Sequence, residues 1–361
     1  MHLLIFNLKT DADDSVLGFT TDWINALASK CRKVSVITMM AGRVAVADNV
    51  SVYSVGKEKG YSEPRRLVEF YRILCRMLRA EKVDACFAHM MPLFSVLGWP
   101  LLRASKIPIV LWYAHSHISP LLRVATALVD RVVASSSSGF RIATPKFRSI
   151  GQGIDVERFS PLASAERQHG EKLVLLTLGR ISPVKRLDVV LEALALLQPN
   201  VRSQLEMRFV GDALGASGEQ YEKYLRHRVS ELGLRDVVRF LPAIPFHSVQ
   251  QVYQDADIFI NSSDTDSIDK TVLEAMSCGL PIVTSNAAFI DVLGEQLAED
   301  WCVGKSDSAV LAKRIQQLAS MSKSGRLALG EALREIVRRD HSLPALAGRL
   351  MQQIETCRGE S

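Results

Sequence analysis

The sequence predicts an α/β protein built as two doubly wound domains, and three observations carry that expectation. Short apolar runs alternate with amphipathic stretches from end to end, the pattern of a parallel sheet with crossover helices. The series occurs twice, divided by a polar segment at 155–172 that holds Pro161 and shows no apolar periodicity. A chain of 361 residues is also too long for one ordinary core and suits two domains.

The elements follow in order. LLIF (3–6), VSVIT (34–38), DACFA (84–88), IPIVLWY (107–113) and RVVAS (131–135) read as strands of the first domain. Helical patterns at 18–30, 63–82, 93–104 and 120–129 fill the gaps. In the second series LVLLTLG (173–179), MRFVG (207–211), VVRFL (237–241), DIFINS (257–262) and PIVTS (281–285) are the strands. Helices are expected near 186–197, 218–232, 247–254, 270–277 and 308–320. The expected domains are 1–155 and 156–342, with a last helix within 343–361 crossing back onto the first. Two such domains would face each other across a cleft, with ligands at the carboxyl ends of the strands.

Composition narrows the class. The hydrophobic fraction of 48% and charged fraction of 23% are those of an ordinary globular protein. No stretch reaches the roughly 20 apolar residues of a membrane span. The opening MHLLIFNLKTDADDS has too short an apolar run for a signal core and no basic stretch before it. The six cysteines form no CxxC pair and no zinc-spaced cluster, so reduced thiols, no structural metal and a cytoplasmic location are expected. Residues 1–150 carry 20 Lys and Arg against 11 Asp and Glu, a net of +9, whereas the whole chain is +5 and the remainder therefore −4. A basic first half suits an anionic partner, such as a phospholipid surface or a phosphorylated acceptor, or serves only solubility.

Two segments carry chemistry. In LLTLGRISPVKRLDVVLEAL (175–194) a buried strand ends in Gly179-Arg180, and Lys185 follows at the opening of a helix. Glycine lets backbone approach a ligand, while the Arg180 fork and the Lys185 point charge together suit a diphosphate. Two solvated charges at a helix start would read the same. In DIFINSSDTDSIDKTVLEAMSCGLPIVTSN (257–286) a strand leads through a polar loop into a short helix. The amides of Thr271, Val272 and Leu273 at that helix start are donors suited to phosphate. Glu274 could reach a ribose diol, and Asp266 the hydroxyls of a sugar. Asp264 and Asp269 are read as turn and capping residues.

Together these segments resemble retaining glycosyltransferases of the GT-B fold, in particular the family 4 group (glycosyl transferases group 1). The family's strand with Gly-Arg and a downstream Lys is matched by Gly179, Arg180 and Lys185. Its acid, seven residues, then Glu-Ala-Met-x-x-Gly-x-Pro is matched by Asp266, Glu274, Ala275, Met276, Gly279 and Pro281. IGQGIDVERFSP (150–161), FVGD (209–212) and 239–263 add support; the first domain matches only loosely. The resemblance implies a nucleotide-sugar donor, with Arg180 and Lys185 neutralising its diphosphate as the glycosidic bond breaks. No metal and no cofactor are then needed. It further implies Glu274 on the ribose, Asp266 on the donor sugar, and Leu241 to Ile244 along the base. His115, with His117 as its near rival, would face the sugar from the first domain, where Gly18 would approach donor phosphate or acceptor.

Departures from the family pattern fall on the sugar loop. Asp266 replaces the usual Glu, and Ser267 and Asp269 stand where many members have glycine; only Gly18 remains of a frequent glycine pair. Asp264-Thr265-Asp266 spells DxD, the metal motif of the other main glycosyltransferase fold, but lies eight residues before Glu274 and reads as accidental.

The helical stretch 63–82 places Leu67, Phe70, Tyr71, Leu74 and Leu78 on one face and Arg65, Arg72, Arg76 and Arg79 on another. Such a helix packs on its own sheet and could also draw the domain to an anionic membrane. The expected function is transfer of a sugar from a UDP- or GDP-sugar to a glycan or lipid-linked acceptor in surface polysaccharide or glycoconjugate assembly. Peripheral contact with the inner membrane face is an added expectation, and nucleic acid is not an expected partner. The rivals are a nucleotide-sugar epimerase of the same fold, which needs no acceptor, and a non-catalytic sugar-nucleotide-binding subunit.

Overall fold

The computed structural model describes residues 1–14, 16–115, 117–162, 172–265 and 267–360, with Glu360 described for its backbone only. Two compact units emerge, one of Met1–Gly153 with Leu343–Ser361 and one of Ile154–Ser342.

The first unit runs β1 (His2–Thr10), α1 (Phe19–Ala28), β2 (Lys33–Ala41), β3 (Val50–Ser54), α2 (Glu63–Ala80), β4 (Ala85–His89), α3 (Pro92–Ala104), β5 (Ile109–Trp112), α4 (Pro120–Leu128), β6 (Arg131–Ala134) and β7 (Phe147–Ser149). Its strands form one sheet in the order β3-β2-β1-β4-β5-β6-β7, with every pairing parallel. The central strands are apolar along their length because helices cover both faces: Leu3, Leu4, Ile5 and Phe6 of β1 are all buried. On one face Phe6 meets Phe70 and Phe94 with ring centroids 5.6 and 5.8 Å apart. On the other, Trp23, Ile24 and Leu27 of α1 share a core with Leu346, Leu350 and Ile354. Those last three lie on the chain's final helix, Leu343–Glu360, so this unit is closed by a segment that follows the whole second unit.

The second unit contains β8 (Leu173–Leu178), α5 (Leu187–Leu196), α6 (Pro199–Arg202), β9 (Leu205–Val210), α7 (Gly215–Glu231), β10 (Val238–Leu241), α8 (Val249–Gln254), β11 (Ile258–Asn261), α9 (Lys270–Ser277), β12 (Ile282–Thr284), α10 (Phe289–Trp301), α11 (Ser308–Ser320) and α12 (Lys323–Asp340). The sheet order is β10-β9-β8-β11-β12, again all parallel. Strand order reverses between β8 and β11, so the connections after those two strands diverge to opposite faces of the sheet. Beyond their carboxyl ends lies the crevice where doubly wound sheets bind ligands.

Several expectations need correcting. Strands β3 and β7 escape a search for apolar runs, because VSVYS is only half-buried and Phe147–Ser149 has just three residues. Helices α10 and α12 were likewise not expected. The segment at 155–172 is not a free linker at its start. Phe159 is buried in the second unit's core, Ser277 Oγ donates to its carbonyl at 2.6 Å, and Gln254 Nε2 donates to that of Ser160 at 2.7 Å. The buried face of α2 is Phe70, Ile73, Leu74 and Met77, a rotation away from the expected stripe, and Leu67 stays 42% exposed. Its basic side is already engaged in part. Arg72 pairs with Glu69 at 2.5 Å, Arg66 with Glu63 at 3.5 Å, and the Arg65 guanidinium lies 3.5 Å from the centre of the Tyr61 ring.

Candidate functional site

The site is built on the loops that leave β8 and β11. Strand β8 ends at Leu178, and Gly179 follows with φ +137°, a region closed to residues with a Cβ. Its N–H donates to the Val210 carbonyl at 3.0 Å, which draws the loop after β9 close. Gly211 has φ +147°, and a Cβ there would stand 2.1 Å from the Gly179 carbonyl oxygen. Both positions therefore demand glycine. Asp212 then ties three loops together. Its carbonyl accepts from the Ile181 N–H at 3.0 Å, and its carboxylate from the Ala243 N–H at 2.9 Å. Leu241, at the end of β10, is 38% exposed, and its carbonyl accepts from the Gly211 N–H; Ile244 is half-buried against the core.

The cations after β8 have different neighbours. Arg180 is exposed and makes no hydrogen bond or ion pair with another described residue. Lys185 closes a single 3-10 turn, Pro183–Lys185, and its ammonium lies 3.3 Å from Asp269 Oδ1. Arg186 adopts a left-handed conformation, φ +46°, at the entry to α5 and is committed to structure. It pairs with Asp188 at 3.1 Å, and Tyr221 donates to the same carboxylate at 2.7 Å. Burial acts to raise the Asp188 pKa, but the hydrogen bonds from Arg186 and Tyr221 outweigh it and hold this carboxyl below its ordinary value.

Across the reversal point, the loop after β11 is threaded with polar side chains. Asn261, Ser262, Ser263, Thr284 and Asn286 are all buried. Ser262 Oγ donates to the Lys185 carbonyl at 2.8 Å, and the Asp264 N–H donates to the Val184 carbonyl at 2.8 Å. These bonds lock the β11 loop onto the 3-10 turn after β8. Sequence reading missed this set; its visible signal was the run of Asn, Ser and Thr that ends two otherwise apolar strands, DIFINSS and PIVTSN.

One of the loop's acids departs from the expected capping role. Asp269 occupies the position before the first turn of α9, yet its side chain makes no capping bond. It faces Lys185 instead, and Asn261 Nδ2 donates to its other oxygen at 3.0 Å. The Asp264 carboxylate pairs with Lys305 at 3.0 Å. The expected sugar ligand, Asp266, lies outside the described residues.

Helix α9 carries the remaining site residues. Val272 and Leu273 are fully buried, and the Val272 amide donates to the Asp269 carbonyl at 3.2 Å. That amide is therefore not the free donor expected from sequence. The Thr271 hydroxyl is buried and has no partner among the described residues. Glu274 is 5% exposed and accepts from the Tyr253 hydroxyl at 2.8 Å. Burial pushes the Glu274 carboxyl above its usual range, offset only in part by Lys270, the Tyr253 hydrogen bond and Arg158.

The first unit carries two further candidates, His115 and Gly18. His115 follows β5 and is exposed; its Nδ1 accepts from the His117 N–H at 3.0 Å. Gly18 precedes α1 with φ −54° and ψ −34°, ordinary right-handed values that do not by themselves require glycine. Among the described residues no group of three or more His, Cys, Asp or Glu could hold a metal ion, and no described helix is long and apolar enough to cross a membrane.

Residues 162–335 match the sequence model of the family described as Glycosyl transferases group 1. A D-inositol 3-phosphate glycosyltransferase of Geodermatophilus obscurus is 31% identical over 174 residues, which cover 44% of this chain and 38% of that protein. The chain spans less than half the length of the curated relatives it matches. Among solved structures, Anabaena HepE in complex with UDP aligns with a TM-score of 0.75 at 20% identity, over 99% of this chain and 100% of its own. Sucrose-phosphate synthase from Thermosynechococcus elongatus aligns with a TM-score of 0.76 at 18% identity, over 99% and 100%. The fold is that of the GT-B glycosyltransferases.

Proposed function

We propose that the protein is a retaining glycosyltransferase, moving a hexose from a nucleoside diphosphate sugar to a glycan or lipid-linked acceptor. The observation that carries this reading is the placement of an arginine unengaged among the described residues, a lysine and a buried glutamate around one strand-order reversal. Arg180 and Lys185 leave β8, and Glu274 stands on the helix that begins beside Lys185's partner, Asp269. A diphosphate set against the two cations would place its ribose toward α9, where a carboxylate can accept from both hydroxyls.

In the reaction, the bond between the anomeric carbon and the β-phosphate oxygen breaks, and the diphosphate keeps the electron pair. Arg180 and Lys185 stabilise the charge that develops on it, more strongly in the transition state than in the bound donor. The acceptor oxygen bonds to the anomeric carbon, and its proton passes to the departing phosphate. No protein nucleophile and no metal enter this scheme. The resemblance adds Asp266 as a sugar ligand, Leu241 and Ile244 along the base, and Gly18 and His115 from the first unit. In this reading the enzyme works in the cytoplasm in glycan assembly, with peripheral membrane contact through the basic first unit. A UDP-sugar leads the candidates because the HepE structures hold UDP and UDP-glucose; a GDP-sugar follows.

Thermal unfolding with UDP, GDP and ADP at millimolar concentration tests the reading. One diphosphate is expected to raise the midpoint by several degrees, as a ligand about 100-fold above its Kd adds about 2.7 kcal/mol. Absence of a shift with all three would overturn the donor site.

A further inference from the structure

Asp269 has no role in the reaction as proposed, yet it is the residue that holds Lys185. Its two oxygens serve different masters. Oδ2 is fixed by the fold: Asn261 Nδ2 donates to it at 3.0 Å, and Thr265 Oγ1 at 3.2 Å. Asn261 is itself anchored, since its Oδ1 accepts from Thr284 Oγ1 at 2.9 Å, and Thr284 Oγ1 accepts from the Asn286 N–H at 3.1 Å. This chain of bonds runs from β12 through β11 to the start of α9 and leaves Oδ1 aimed at the lysine. Lys185 answers at 3.3 Å, its stem passing beside Gly179, where a Cβ would lie 3.7 Å from its Cε. Both side chains are mostly shielded, at 18% and 12% exposure, so their attraction is screened less than that of a surface pair.

Resting on the donor site proposed above, we infer that Asp269 is a positioning residue that competes with the donor's diphosphate for Lys185 and thereby hastens release of the spent nucleotide. An anchored carboxylate beside the phosphate-binding lysine has two opposed effects. It holds a flexible side chain near its working position, which spares part of the roughly 2 kcal/mol of lysine rotamer entropy. It also takes up part of the ammonium's charge, so the attraction of Lys185 for an incoming dianion or trianion is weakened in proportion to the ligand's own charge, and that loss outweighs the gain from ordering. The nucleoside diphosphate left after transfer carries more charge than the bound sugar nucleotide. Asp269 therefore disfavours product more than donor, and re-forming the Lys185 pair accompanies departure.

Calorimetric titration with UDP, or with GDP where that is the diphosphate bound, tests this on the full chain, on Asp269→Asn and on Lys185→Ala with and without Asp269→Asn. Asp269→Asn, which retains an acceptor for Asn261, is expected to bind the diphosphate about fivefold tighter. In the Lys185→Ala background the same change is expected to gain less than twofold, because the competition acts through the lysine. Should Asp269→Asn fail to fold, Asp269→Ser supplies the same comparison with a shorter acceptor. Unchanged or weaker binding in the parent background, or the same gain without Lys185, would overturn the role of Asp269 while leaving the donor site standing. A parent chain that binds none of UDP, GDP or ADP would overturn the site itself, and this role with it.

Discussion

Arg180→Ala is expected to slow donor consumption by two to three orders of magnitude and to leave the thermal midpoint unchanged. The size follows from removing one preorganised donor from a developing anion, a change that costs about 10²–10³ in rate elsewhere. The silence in stability follows from the structure: Arg180 is exposed and engages no other described residue, and such surface changes stay within about 0.5 kcal/mol. Lys185→Ala is the contrasting case. It should slow the reaction as well, but it also strips a largely buried carboxylate, Asp269, of its cation, so its midpoint should fall. Release of UDP from UDP-glucose, followed beside thermal unfolding of both variants, separates the two. An Arg180→Ala enzyme with the parent's rate would reduce this arginine to a solvated charge.

Glu274→Gln is expected to weaken nucleoside diphosphate binding by about 10- to 100-fold, the scale of losing charge-assisted hydrogen bonds to two hydroxyls. Stability should move the other way. Burial raises the Glu274 pKa above its unfolded value, so ionising this carboxyl disfavours the fold. Its contribution is fully present below the unfolded value, near 4.5, and is lost as pH rises through the higher folded value. Glutamine keeps the shape and an acceptor for the Tyr253 hydroxyl without that charge. At neutral pH the variant should therefore melt no lower than the parent, and any advantage should shrink on acidification. Thermal unfolding from pH 4 to pH 8 measures this. A Glu274→Gln protein that binds as well as the parent would remove the glutamate from the ribose.

Much of the architecture was legible because buried parallel strands must be apolar throughout. VVRFL and DIFINS announced β10 and β11 to within one or two residues. Edge strand β3 was not, because a half-exposed VSVYS carries no such run. The same contrast divides the site. Gly179, Arg180, Lys185 and Glu274 were visible since local spacing and one distinctive helix carry them. The partnership of Lys185 with Asp269 joins positions 84 apart, and nothing in DTDSIDKT tells which acid turns toward the lysine. Capping preference favoured a local bond for Asp269; the tertiary attraction of an ammonium and the Asn261 amide prevailed. The leading face of α2 misled for a related reason. Several apolar residues on neighbouring positions allow more than one stripe, and the sheet beneath selected Phe70, Ile73, Leu74 and Met77.

Hydrogen exchange with and without saturating UDP tests most directly the claim that the reversal point between β8 and β11 holds a nucleoside diphosphate. Slower exchange is expected in peptides spanning 178–187 and 261–275, because bound phosphate and ribose would suppress opening of the loops that Ser262 and Asp264 tie together. Protection confined to 1–153, or to neither region in a chain that binds UDP, would contradict it.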